Sequence, residues 1–148
     1  MNTRGRVATR LRAMGLLCLV GTLLTAGPAR AAGGAEEAAQ SVAESWLKLV
    51  DGGQYEKSWQ EAAKLFKGAI TVEQWKQAVG GVRGPLGKVV SRKIKSRQYM
   101  EQVPGAPDGK YVVLQFETVF ENKASAIETV TPMVDPDGAW RVSGYFVK

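Results

Sequence analysis

From Glu36 onward, apolar residues recur with the spacing of a helix. Ala39, Val42, Ala43, Trp46, Leu47 and Val50 fall at i, i+3, i+4 and i+7, while Glu37, Gln40, Glu44 and Lys48 take other positions. Asp51-Gly52-Gly53 stops this helix, with glycine available for a left-handed cap. Tyr55, Trp59, Ala62, Ala63 and Phe66 predict a shorter second helix ending at Lys67-Gly68. Thr71-Val72-Glu73-Gln74 fits a capping box, with Thr as N-cap and Gln three residues on. Trp75, Ala78, Val79 and Val82 make the inner stripe of a third helix, which Gly80-Gly81 and Gly84-Pro85-Leu86-Gly87 close and turn.

After Gly87 the period changes to two. Lys88 to Tyr99 alternates and carries β-branched residues, and Val103 to Gly109 is a turn-rich connection. Tyr111 to Phe120 is the clearest strand, with Val112, Leu114, Phe116 and Phe120 on one face. Glu121-Asn122-Lys123 turns it into a third strand, Ala126 to Val134, where Pro132 marks an edge or a bulge. Asp135-Pro136-Asp137-Gly138 is a hairpin signal before the last strand, Trp140 to Val147. The order predicts an α+β domain: three N-terminal helices packed on one face of a curved antiparallel sheet of about four strands.

Composition changes the picture at the N-terminus. Arg4, Arg6, Arg10 and Arg12 precede an apolar run from Ala13 to Ala26, and Ala29-Arg30-Ala31 supplies an A-x-A cleavage pattern. Residues 1–31 thus look like a cleaved Sec-type signal peptide, leaving one domain over residues 32–148 whose first residues, Ala32 to Ala35, form a frayed tail. The apolar run is shorter than the roughly 20 residues of a membrane span, so no transmembrane segment is expected after cleavage. Leu16-Leu17 before Cys18 argues against a lipid anchor, and no Arg-Arg pair supports twin-arginine export. The expected location is the bacterial periplasm or beyond.

Of the 20 Lys and Arg, five lie in the leader, whereas all 14 acidic residues follow it, so the net charge falls from +6 to +1. A nucleic-acid partner suggested by the basic whole chain is therefore not expected. The chain has no His, and its one Cys lies in the leader. That excludes His triads, Cys nucleophiles, disulfides and His/Cys zinc sites from the domain. No metal and no cofactor is expected.

Several phrases occur together in order: Trp46-Leu47-Lys48-Leu49-Val50-Asp51-Gly52-Gly53-Gln54-Tyr55, Ser58-Trp59, Gln74-Trp75, Val82-Arg83-Gly84-Pro85-Leu86-Gly87, Pro104-Gly105-Ala106-Pro107-Asp108-Gly109 and Trp140-Arg141-Val142-Ser143-Gly144-Tyr145. In these the chain resembles the secreted bacterial domain-of-unknown-function family 4019, from about Ala38 to the C-terminus. That family has no established activity. The helices-then-sheet order is also similar to the NTF2-like and SnoaL-like (cystatin-like) cone, which implies a pocket between helices and concave sheet, in enzymes and non-catalytic binders alike. The acid–base His of many catalytic relatives is absent here.

Candidate chemistry is sparse. Trp46, Trp59, Trp75 and Trp140 either line a pocket for a flat or sugar-like ligand or fill the helix–sheet core, which a domain without disulfides needs. Arg83, Lys88, Arg92, Lys93, Lys95 and Arg97 run without an acid. Lys93, Lys95 and Arg97 share a face by the period-two rule, forming either a basic strip for an anionic partner or lysines that protect an edge strand. Arg92 shares parity with Val90 and Ile94, and Glu128 lies between Ala126 and Val130, so both point to the apolar side. They form either a buried ion pair or an anion-binding fork. Glu117 is a third, weaker member.

The glycines before Lys88 do not make a phosphate loop, because Val89 replaces the Ser or Thr and the segment follows a helix. Asp135, Asp137 and Gly138 lack the terminal Glu of a calcium loop. The expected function is an exported, non-catalytic binding or accessory domain. It would hold a small molecule or protein partner in a helix–sheet pocket near Arg92, Glu128, Glu117, Trp46, Trp75 and Tyr145, with the sheet available for a homodimer. The alternative is a SnoaL-like lyase, isomerase or hydrolase, with Glu117 or Glu128 as base and Tyr55, Tyr99 or Tyr145 as proton donor.

Overall fold

The computed structural model describes residues Pro28–Lys148. The expected leader lies, up to residue 27, outside the described residues. The first helix, α1, spans Pro28–Asp51, so Ala32 to Ala35 are helical and not a frayed tail. Alanines flank the two glycines there and continue in Ala38 and Ala39, and alanine is the strongest helix former. Glu36 also tethers it, accepting the Tyr99 backbone N–H at 3.2 Å. The turn after Asp51 passes through Gly53, whose φ of 70° only glycine adopts freely.

The expected second helix is two, so four helices precede the sheet instead of three. These are α2 (Tyr55–Gln60) and α3 (Lys64–Ala69). Tertiary hydrogen bonds override the helical spacing between them. Ala63 donates its N–H to the Val142 carbonyl at 2.8 Å. The Asp135 carboxylate accepts the Lys64 N–H at 3.1 and 3.3 Å. Ala62 and Ala63 are fully buried where the chain crosses the sheet edge.

Helix α4 (Val72–Leu86) begins with the expected capping box. Thr71 Oγ1 accepts the Gln74 N–H at 3.2 Å, and Gln74 Oε1 accepts the Thr71 N–H at 3.0 Å. Its buried stripe differs from the expected one: Trp75, Val79 and Arg83 face inward, while Ala78 is exposed and Val82 is 46% exposed. The helix also runs through Gly80-Gly81 and Pro85 instead of closing at them. Asn122 explains its late end, donating from its side chain to the Pro85 carbonyl and from its backbone to Leu86, both at 3.0 Å.

The sheet is an antiparallel meander in the order β1 (Val89–Met100), β2 (Tyr111–Phe120), β3 (Lys123–Val134) and β4 (Trp140–Val147). Four register shifts interrupt it, at Val89/Ser91, Ile94/Ser96, Thr118/Phe120 and Thr131/Pro132. Such irregularities bend a strand and raise its twist. Pro132 therefore marks a bulge in an inner strand, not an edge.

Two of the shifts lie in β1 and re-phase it. Val90 is the extra residue of the first and is 65% exposed, so it does not share the inner face with Arg92. Lys95 is the extra residue of the second. Lys93 stands opposite Glu117 on the outer face, but Arg97 stands opposite Leu114. The expected single basic strip of Lys93, Lys95 and Arg97 is thus divided.

The inner face carries Val112, Leu114, Phe116, Val130 and Val142, packed against Ala39, Ala43, Trp46, Leu47, Val50, Phe66, Trp75 and Val79. Trp46 and Trp75 are core residues. Their ring centroids lie 5.7 Å apart, with Phe66 5.0 Å from Trp75. Both indole N–H groups end on buried Ser58, Trp46 on its carbonyl at 2.8 Å and Trp75 on its hydroxyl at 2.9 Å.

Candidate functional site

One corner of the inner sheet face is polar. Glu128 on β3 is fully buried there. Hydroxyls from both neighbouring strands donate to it: Thr118 on β2 to Oε1 at 2.6 Å, and Tyr145 on β4 to Oε2 at 2.7 Å. Arg92 belongs to β1, which does not pair with β3. It reaches over Thr118, its register partner, and donates from Nε to Glu128 Oε1 at 2.8 Å and from Nη2 to Oε2 at 3.2 Å. A small β-branched residue at 118 leaves room for that crossing.

The same guanidinium forks a second carboxylate. Asp51, the last residue of α1, accepts from Arg92 Nη1 at 2.7 Å and from Nη2 at 3.0 Å. Arg83 on α4 completes the ring. Its Nη2 donates to Asp51 at 2.8 Å, and its Nη1 donates to the Tyr145 hydroxyl at 3.3 Å and lies 3.8 Å from Glu128. The Arg83 guanidinium also sits 4.9 Å above the Phe120 ring. Four charges therefore cancel in pairs, and they join α1, α4, β1 and β3.

Electrostatics follow from this geometry. Burial works against the ionised form of Asp51, but hydrogen bonds from Arg92 and Arg83 outweigh it and hold the carboxyl below its ordinary value. Burial opposes the charge of Arg92 too, and its bonds to Asp51 and Glu128 again prevail, raising its pKa. Burial and the neighbouring Glu128 charge both push the Tyr145 phenol well up. At neutral pH the two guanidinia and Asp51 are charged and the phenol is neutral.

The arrangement has little capacity for proton transfer. Each Glu128 oxygen already accepts two hydrogen bonds. A general base needs a free lone pair within reach of a substrate proton. Behind Tyr145 the space is filled, with Trp46 at 5.5 Å and Trp75 at 6.2 Å between ring centroids. The other residues considered for acid–base work lie elsewhere. Glu117 is exposed on the outer face, 3.5 Å from Lys95. Tyr99 donates to exposed Glu101 at 3.3 Å, and Tyr55 packs beside Gly80.

Arg92 is also where the cluster meets a surface cleft. Glu44 and Lys48 of α1, Arg92 and Ile94 of β1, and Phe116 of β2 line a hollow of about 320 Å³ at the helix–sheet seam. A separate hollow of about 510 Å³ lies on the outer sheet face beside Ser91, Lys93, Lys95 and Glu117. Among the described residues, no group of three or more His, Cys, Asp or Glu side chains is placed to hold a metal ion. No helix among them is long and apolar enough to cross a membrane.

The structure thus brings Arg92, Glu128 and Tyr145 together and leaves Glu117, Lys93, Lys95 and Arg97 outside. Sequence reasoning missed Asp51, Arg83 and Thr118. Arg83 carried one signal, since it follows Trp75 and Val79 at i+8 and i+4 on the buried stripe. Asp51 read only as a helix stop.

The family described as protein of unknown function (DUF4019) matches residues 42–145. The match takes in all four strands except the last residues of β4, and most of the helical layer. The chain belongs to that family. No curated protein and no solved structure matches it.

Proposed function

Starting from that membership, we propose that the chain is an exported, non-catalytic binding domain whose ligand or partner sits at the α1–β1 seam. The observation that carries this reading is the saturation of Glu128. Its four hydrogen-bond donors and the filled aromatic space behind Tyr145 leave the carboxylate–phenol couple structural. The part of the cluster that remains accessible opens into the seam cleft, where the Arg92 side chain is 15% exposed and its guanidinium is held by two carboxylates. A preformed polar group beside apolar walls is the usual make-up of a small-molecule site. The helices-then-meander order also supports kinship with the NTF2-like cone, in which a helical layer covers one sheet face.

Export is supported by the basic start, the apolar run and Ala29-Arg30-Ala31. Intact-mass analysis of the exported protein should find Ala32 as its first residue. A membrane-retained full-length species would refute cleavage of the leader.

Binding is tested by recording amide spectra of the purified protein against pools of periplasmic metabolites and anionic lipids. The expected result is saturable shifts at Glu44, Lys48, Arg92 and Ile94, with the ligand recovered unaltered. Chemical conversion that disappears in a folded Glu128→Gln variant would instead establish the lyase, isomerase or hydrolase class.

A further inference from the structure

The seam cleft carries both signs of charge over an apolar floor. Glu44 and Lys48 stand four residues apart on α1, the spacing and order at which a Glu–Lys pair ordinarily forms. No ion pair joins them among the described residues. Glu44 instead accepts the Gln40 side-chain amide at 2.7 Å, and both residues line the hollow.

Arg92 adds a directed donor. A guanidinium has five N–H groups. Four of Arg92's point at Asp51 and Glu128. The second hydrogen on Nη1 has no partner among the described residues. Ile94, half-buried, and Phe116, buried, supply the floor.

Charge balance narrows the ligand. The buried charges of Asp51, Arg83, Arg92 and Glu128 cancel, and so do those of Glu44 and Lys48. A simple anion would meet Glu44, and a simple cation would meet Lys48. A ligand with both signs and no net charge meets neither penalty. The volume of about 320 Å³ lies at the small end of ligand sites, which run from roughly 300 to 1,000 Å³.

Resting on the seam as the binding site, we propose that the cleft takes a small zwitterion with an apolar body, an α-amino acid of the leucine type. Its carboxylate lies on Lys48 Nζ and the free Arg92 Nη1 hydrogen. Its ammonium lies on Glu44, and its side chain lies along Ile94 and Phe116.

The test is an amide-shift titration of the purified protein with leucine, isocaproate and isoamylamine at one ionic strength. The last two lack the ammonium and the carboxylate respectively. Leucine should give saturable shifts at Lys48, Ile94 and the Arg92 side-chain N–H. Isocaproate and isoamylamine should each bind about fivefold more weakly, or less well still, as expected for loss of one exposed charge contact. Lys48→Gln and Glu44→Gln should weaken leucine to a similar extent with an unchanged melting temperature, because both residues are exposed. The proposal is overturned if leucine gives no saturable shift, if isocaproate binds as tightly as leucine, or if neither variant matters. Should a different metabolite shift the same seam amides while leucine does not, the binding reading stands and the zwitterion assignment falls. If nothing shifts them, both fall.

Discussion

Tyr145→Phe removes one oxygen from the buried network and leaves the ring packing against Trp46 and Trp75 intact. Its hydroxyl donates to Glu128 and accepts from Arg83, so the substitution removes one of the two donors to Glu128 Oε2 and leaves Arg83 Nη1 without its acceptor. The expected loss is about 1–3 kcal/mol in urea unfolding; an unchanged midpoint would mean that water reaches the site. Arg92 and Glu128 were legible as inward charges, because Ile94 flanks the first on its face and Ala126 and Val130 flank the second. Arg83 carried only its place after Trp75 and Val79 on the buried stripe, which its membership of a basic run outweighed. Its packing over Phe120 and its bond to Asp51 show that it faces inward. Asp51 was hidden by its neighbours: before two glycines, an aspartate reads as helix-ending chemistry, and nothing local says that two arginines distant in sequence converge on it.

The turn from α4 into β1 rests on a single residue. Gly87 has φ 75° and ψ −161°, a region essentially confined to glycine, and a Cβ there would lie 2.8 Å from Glu121 Oε2. Gly87→Ala should therefore cost about 1–3 kcal/mol. Gly81→Ala, in the same helix with nothing within 4 Å of the added Cβ, should stabilise by about 0.4–1 kcal/mol. Thermal melts of the two variants moving in opposite directions would establish that α4 runs through Gly81 and stops at Gly87. Equal effects would contradict that boundary. The strands Tyr111–Phe120 and Trp140–Val147 were legible to the residue, because alternation and turn chemistry agree at their ends. The bulges in β1 were not. An extra residue changes no composition, and only the partner strand reveals that Val90 and Lys95 are unpaired. The break between α2 and α3 was equally hidden, because it is made by Val142 and Asp135, which lie far along the chain.

At the scale of the molecule, the cluster joins helices to sheet, and two of its groups give stability a pH dependence. The chain has no His. Asp51 has a lowered pKa in the folded state. Its contribution is therefore present above the ordinary carboxylate value of about 3.9 and is lost as pH falls through the folded value. Tyr145 has a raised pKa. Its contribution is full below the ordinary phenol value of about 10 and fades as pH rises above it. Stability should thus be flat from about pH 5 to 9 and fall on both sides. A titration step near pH 6–7 in the unfolding free energy would contradict this. The central claim is that Arg92 and Glu128 form a structural pair within a charge-balanced network. Its most direct test is a double-mutant cycle of denaturant unfolding with Arg92→Met, Glu128→Met and the double variant. Each single change leaves the buried network with one uncompensated charge and should cost about 3–5 kcal/mol, while the double change should cost far less than the sum of the two. Small, additive effects would contradict the account.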